Sequence, residues 1–519
     1  MRKFLTWTLI LSLAVVVLAL SAKGVFCLYA KQQVVPSSHW KTFKTAKVVF
    51  DQKGIPTLTA DHWRNLIEAQ GYVVASERMW QMDLMRRKAS GRLAEWFGSK
   101  ALAIDIRRRV EDWPGVLESA STSLPDDERL LCETYAKGVN RFIEDFEGSW
   151  GIEYRLLGDR PEPWSCRDSL AVVLTMSEVL TGYVSREAKQ HRWRSHLSRD
   201  WQAFLFPRDH PWNRPLFNDS QARATTELSL PAEFIDSTEG EKKVFNKLLD
   251  YISIGSNSWA ARDKSHRYLA NDPHLAYSVP MLWYAMRLRI SPEEWVVGIA
   301  LPGIPGIIIG MNPHYAWSFT TTNEDVDDLI EEKIDPGKNF YLAREDEWRP
   351  IKEEESVIEV KDQDPVVVKV RSTHRGPLIE VEDLPGRLFS RQWLPLKPGM
   401  LRLPVIKLNQ ARDWRSFNMA IDQMKNPAQN VTYVDRKGNI GIRIAGTGVI
   451  RRRSGRFIHQ GEKGEWLGFE DPAARRRAFY AAEDPVRFAL PITNQRMWID
   501  DWGHHWDDAG DEKKGSASV

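Results

Sequence analysis

The chain has 519 residues, with 72 Lys and Arg against 70 Asp and Glu, a formal net charge of +2 at pH 7. Near-neutrality removes the electrostatic footprint expected of a nucleic-acid partner, and 42% hydrophobic with 27% charged residues suits a globular protein rather than a fibrous or disordered one. Three Cys exclude a disulfide scaffold, while 22 Trp call for a large core or an aromatic-lined cleft.

Arg2 and Lys3 precede an uncharged stretch, Phe4 to Ala22, which has the form of an export signal and nearly the length of a membrane span. Residues 1–22 are therefore read as a signal peptide cleaved after Ser21, or as an anchor in the inner membrane. Either reading places the remainder outside the cytoplasm, in the periplasm or beyond. There Cys132 and Cys166 either pair or stay as two buried thiols, and Cys27 lies beside the signal.

Lys47 to Thr59 reads as two short strands around an Asp-Gln-Lys-Gly turn. Apolar spacing predicts a helix from Trp63 to Phe97, stopped by Gly98. A second is predicted from Asp126 to Phe146, with Leu130, Leu131, Tyr135, Val139 and Phe142 inward. A third runs from Asp168, as N-cap, to His191. Residues 208–255 lose periodicity and read as a spacer. Beyond it the texture is β-rich, with strands expected around Ser258–Ala261, Met286–Ile290, Trp295–Ile299, Ile307–Ile309, Val357–Val360, Val366–Val370, Val431–Val434 and Gly441–Ile444. Helices followed by strands indicate an α+β protein. The polar 507–519 tail reads as disordered.

No zinc spacing, Walker loop or Gly-x-Ser-x-Gly elbow is present. His504 and His505 among Asp500, Asp501, Asp507 and Asp508 read as solvated surface. The runs Arg451–Arg453 and Arg475–Arg477 read as solvated faces or carboxylate partners. Gly255-Ser-Asn-Ser-Trp259 and Asn271-Asp-Pro-His-Leu275, each taken alone, are polar turns. Abundant Trp by itself also suits an exported sugar-binding protein.

Taken together and in order, these blocks say more. Val49-Phe-Asp-Gln-Lys-Gly-Ile-Pro56, Gly71 to Asp83, Arg86 to Glu95, Gly255 to Trp259, Leu269 to Leu275, Pro302 to Gly306, Ala316 to Thr321, His374 to Pro377, Asp435 to Gly441 and Thr493-Asn-Gln-Arg496 resemble the penicillin acylase family of N-terminal-nucleophile hydrolases, from about Val48 to Arg496. The resemblance implies an αββα four-layer sandwich. It implies an α-chain region at 45–207, the spacer at 208–255 and a β-chain region at 256–506. The chain would cut itself between Gly255 and Ser256 and remain as a heterodimer.

The same resemblance implies that Ser256 is the nucleophile and that its freed α-amine, with an ordinary pKa of about 7.7–8.0, is the base. Thr321 N–H and the Asn494 amide would hold the oxyanion. His274 would contact the serine or its amine. The expected activity is hydrolysis of a small N-acyl amide such as a penicillin or an N-acyl-homoserine lactone, with no cofactor for catalysis. Met281, Trp283 and Tyr284 would line an acyl pocket or pack in the core. Glu187, Asp325 and Asp328 fall where the family often holds a structural calcium. Ser318 stands where Gly is usual, and Thr321–Thr322 replace commoner residues at the oxyanion turn. Family precursors continue well beyond the Asn494 segment, so the alternative expectation is a truncated homologue, inactive or completed by another polypeptide.

Overall fold

The computed structural model describes residues 7, 11–24, 45–205 apart from 147–149, 183 and 195, and 255–481 apart from 264, 276, 277, 338, 454, 456 and 476. It also describes 490–492, 504–506 and 512–514. Residues 11–24 are helical and exposed, and among the described residues no helix is long and apolar enough to cross a membrane.

Helices dominate the first part of the chain. Trp63–Ser90 opens with His62, whose ring Nδ1 accepts the Asn65 N–H at 3.3 Å. It ends at Gly91, which adopts a left-handed φ of 62°. The helix expected to run to Phe97 is therefore broken. The Asp105 carboxylate captures the N–H groups of Leu93 and Ala94 at 3.0 and 2.6 Å, and starts a separate turn, Ala94–Phe97.

The second long helix, Asp126–Asp145, crosses the first where two glycines face each other's backbones. A Cβ on Gly71 would lie 2.2 Å from the Tyr135 carbonyl oxygen, and one on Gly138 would lie 1.9 Å from that of Glu68. Only glycine permits this approach. Its inner face is Cys132, Tyr135, Val139 and Phe142, and Leu130 points to solvent, contrary to expectation. The third helix, Cys166–Thr181, begins one turn earlier than expected. Ser165 is its cap, and Asp168 is the third residue of a capping box, accepting the Ser165 N–H at 2.7 Å. Cys132 and Cys166 form a disulfide that ties the second and third helices together.

The strands are β1 (Lys47–Phe50), β2 (Pro56–Thr59), β3 (Gly255–Arg262), β4 (Arg267–His274), β5 (Tyr284–Arg289), β6 (Trp295–Ala300), β7 (Ile309–Met311), β8 (Tyr315–Thr321) and β9 (Asp327–Glu331), followed by further strands of two to seven residues. A nine-stranded sheet has the order β1-β2-β5-β6-β7-β8, then Gln429–Asp435, Ile440–Ala445 and Arg477–Tyr480. Its pairs are antiparallel except β2 with β5. A second sheet joins Leu490–Ile492, β3 and β4.

One core cluster takes residues from both sides of the 206–254 interval: Leu66, Val73, Tyr135 and Leu170 pack in it with Met286, Val296, Trp317, Phe417 and Val431. Buried polar bonds fix the register between the halves. Gln70 receives the Gly306 N–H at 2.8 Å and donates to the Gly306 carbonyl at 3.0 Å. The Tyr135 hydroxyl accepts the Gly303 N–H at 3.1 Å. Arg391 reaches Glu111 at 2.7 Å and, with two nitrogens, Asp327 at 2.9 and 2.8 Å.

Most of the spacer, 208–254, lies outside the described residues. Within the tail read as disordered, Glu512–Lys514 pairs with His504–Trp506.

Candidate active site

β3 begins at Gly255 and alternates in burial as a half-covered strand should. Gly255 itself is covered at the strand head; beyond it Ser256, Ser258 and Ala260 are buried, while Asn257 and Trp259 are exposed. Ser256 is only 7% exposed. The motif that reads alone as a polar turn, Asn271 to His274, is the end of β4, an edge strand whose unpaired side tolerates Pro273. Cross-strand partners share a face, so Ser256 stands with Pro273, and Gly255 with His274.

The ribbon is bonded to β8 by polar side chains on that inner face. Ser258 Oγ lies 2.6 Å from Ser318 Oγ, 3.2 Å from Thr432 Oγ1 and 3.0 Å from the Ala270 carbonyl. Asn271 Nδ2 donates to the Asn257 carbonyl at 2.9 Å and to the Phe319 carbonyl at 3.0 Å. Ser318 therefore has a partner that uses its hydroxyl.

β8 ends three residues after Ser318, at Thr321, which is buried. Its hydroxyl accepts the Asn323 N–H at 3.3 Å, and Asn323 takes a left-handed φ of 52° that turns the chain out of the strand. Asn430 Nδ2 donates to the Thr321 carbonyl and to Thr320 Oγ1, both at 3.4 Å. Asn430 carries no sequence signal of its own; its place follows from pairing with Thr320 across the sheet.

His274 lies on the outward face, and its Nε2 is 2.9 Å from Asp272 Oδ2. The structure thus brings Ser256 and Thr321 to neighbouring strand ends and sets His274 across from Gly255, not beside the Ser256 side chain. In sequence Asp272 reads only as an exposed acid in a polar run, and the i, i+2 spacing to His274 on one strand is its one signal. Asn494 lies outside the described residues. Leu490–Ile492 runs antiparallel to β3, with Ile492 opposite Ser258.

Of the three residues after β4, Met281 is 58% exposed, Trp283 is half-buried and Tyr284 is buried. The Tyr284 hydroxyl is 3.2 Å from Glu77, a carboxyl that burial raises above its ordinary range. Arg78 donates to the Met281 carbonyl at 2.9 Å and lies over the Tyr284 ring.

Glu187, Asp325 and Asp328 do converge, but around an arginine. Arg451 Nε donates to Asp328 Oδ2 at 2.6 Å, and its Nη2 to Asp328 Oδ1 at 3.0 Å and to the Asp325 carbonyl at 2.7 Å. Trp466 Nε1 also donates to Asp328. Glu187 Oε2 accepts the Leu329 N–H at 2.8 Å, and its buried Oε1 has no hydrogen-bond partner among the described residues. Calcium takes six to eight oxygens, and this donor set does not fit it, because Asp328 is committed to nitrogen donors on both oxygens. No group of three or more His, Cys, Asp or Glu among the described residues is arranged to hold a metal ion.

The sequence model of the penicillin amidase family matches residues 45–506. The chain belongs to that family. It is 27% identical over 466 residues to the acyl-homoserine lactone acylase QuiP of Pseudomonas aeruginosa, covering 85% of this chain and 54% of the relative. It is 27% identical over 365 residues to the penicillin acylase 2 proenzyme of a Pseudomonas species, covering 66% and 44%. The penicillin G acylase of Alcaligenes faecalis aligns in structure at 24% identity with a TM-score of 0.39, over 46% of this chain and 43% of that one. This penicillin amidase homologue spans about half the length of the curated relatives it matches.

Proposed function

We propose that this chain is an exported, self-processing acylase that hydrolyses the amide bond of an N-acyl compound, with Ser256 as N-terminal nucleophile. The observation that carries it is the placement of Ser256. It follows Gly255 at the head of a strand, is buried on the inner face, and lies on a ribbon bonded to the strand that ends in Thr321.

In the precursor, Ser256 Oγ attacks the Gly255 carbonyl carbon; the peptide C–N bond breaks as the acyl group passes to oxygen, which frees the serine α-amine, and water then hydrolyses the ester, releasing the Gly255 carboxylate and restoring the hydroxyl. That amine, partly neutral near its pKa of about 7.7–8.0, then accepts the hydroxyl proton as Oγ attacks the substrate's amide carbon. The oxyanion is held by Thr321 N–H and Asn494; a single such donor is worth about 2.7–4 kcal/mol of barrier elsewhere. The proton passes to the departing amine, and water hydrolyses the acyl-serine. No cofactor enters this scheme. His274, across from Gly255 and oriented by Asp272, is suited to the new amino terminus rather than to the hydroxyl.

The relatives' names favour N-acyl-homoserine lactones or penicillins as the substrate class, with Met281 and Trp283 near the acyl end. The nine-stranded and three-stranded sheets are assigned to the facing inner layers of an αββα sandwich. The Cys132–Cys166 disulfide supports an oxidising compartment, and the uncharged 4–22 stretch supports export with a cleaved or anchored leader. The cut chains stay together as a heterodimer.

Amino-terminal sequencing of the expressed protein tests the proposal. A chain beginning Ser-Asn-Ser-Trp is expected, and Ser256→Ala should stay uncut and inert. Undiminished amide hydrolysis by Ser256→Ala would overturn the mechanism.

A further inference from the structure

We infer that Arg451 serves this chain as a built-in cation at Glu187, Asp325 and Asp328, so that the fold needs no divalent ion there. Two elements bond the guanidinium, the loop after β8 through the Asp325 carbonyl and β9 through Asp328, while Glu187 on the helix Val184–Arg194 adds its charge nearby. Alternation along β9 separates its two acids. Asp327 faces Arg391, and Asp328 faces Arg451. Each therefore has its own guanidinium, fully buried for Arg391 and partly buried for Arg451, and neither is left to recruit a cation from solvent.

Among the described residues the pair is closely packed. Gly455 presses its backbone against the pair, where an added Cβ would lie 2.5 Å from Arg451 Nε and 2.7 Å from Asp328 Oδ1. On the other side, Trp466 donates its indole N–H to Asp328. A divalent ion would carry one more charge than the guanidinium but would have to displace both donors and find further oxygens. Arg451 supplies its positive charge with three directed hydrogen bonds already in place.

The full chain is melted in EGTA and in excess calcium chloride, beside Arg451→Met and Arg451→Lys, and calcium is titrated into the wild type by calorimetry. The wild-type midpoint should be the same in both solutions, with no saturable heat. Arg451→Met should melt roughly 3–5 °C lower and regain part of the loss in calcium, which then finds three carboxylates relieved of the guanidinium. Arg451→Lys should fall between the two. A one-to-one calcium heat in the wild type, or a wild-type midpoint raised by calcium, overturns the inference; so does an Arg451→Met midpoint equal to wild type. If Arg451→Met does not fold, the wild-type titration decides alone. These readouts are independent of whether the protein hydrolyses an amide.

Discussion

Ser258 and Ser318 meet hydroxyl to hydroxyl at 2.6 Å, buried between the ribbon that starts with Ser256 and the strand that ends with Thr321. The contact sets how the two strands slide past one another, and hence where Ser256 stands relative to Thr321. Ser258→Ala leaves Ser318 without this partner, at a cost of about 1–3 kcal/mol. Urea unfolding should show that loss, and the rate at which the precursor cuts itself should fall more than stability alone explains.

Arg391 is fully buried and shared by Glu111 and Asp327, one from each side of the Gly255–Ser256 bond. Arg391→Met strands two carboxylates, and breaking such a pair costs about 3–5 kcal/mol. The expected result is a lower urea midpoint and, in cleaved protein, separation of the chains on size exclusion at denaturant concentrations where wild type stays whole.

Gly138→Ala puts a methyl group 1.9 Å from the Glu68 carbonyl unless the helices move apart. Overpacking of this kind costs about 1–3 kcal/mol or more. The melting midpoint should fall although alanine is the better helix former, so the sign of the change distinguishes crossing from propensity.

Glu162 receives hydrogen bonds from Arg92, and these, with the charges of Arg87 and Arg86, hold its carboxyl at about 2 against an ordinary 4.5. A lowered folded-state pKa stabilises above the unfolded value, and the contribution disappears as pH falls from about 4.5 to about 2. Glu162→Gln should flatten the fall of the melting midpoint across that window, modestly, since the group is partly exposed.

Cys132 and Cys166 close a loop of sequence separation 34, for which chain-entropy arithmetic gives about 4 kcal/mol. Reduction, or Cys166→Ser, should lower the melting midpoint by that order. A midpoint insensitive to reductant would show that the helices hold without the bond.

What the sequence makes legible is local or repeats with a period. The helix Asp126–Asp145 and the strands at Val366–Ser372 and Gln429–Asp435 follow from apolar spacing and β-branched runs. β4 does not, because Asn, Asp, Pro and His score as turn residues until an edge position excuses them. Cys132 rather than Leu130 faces inward because the helix phase is set by Tyr135, Val139 and Phe142, and Cys132 shares it. Arg451 looks like a surface charge in a run of three. Its partner Asp328 is 123 residues away, and only the folded chain brings the burial and the carboxylate to it. Gly71 and Gly138 are likewise meaningful only as a pair.

The cluster in which Leu66, Tyr135 and Leu170 pack with Met286, Trp317 and Val431 has no seam at residues 206–254. Each part of the polypeptide supplies half of a jigsaw and would expose that half if made alone. Two genes, one for residues 45–205 and one for residues 256–506, should therefore yield soluble material by complementation when expressed together and aggregates when expressed apart. Covalent continuity through residues 206–254 is then a matter of delivery, bringing two mutually templating pieces to the same place in equal number.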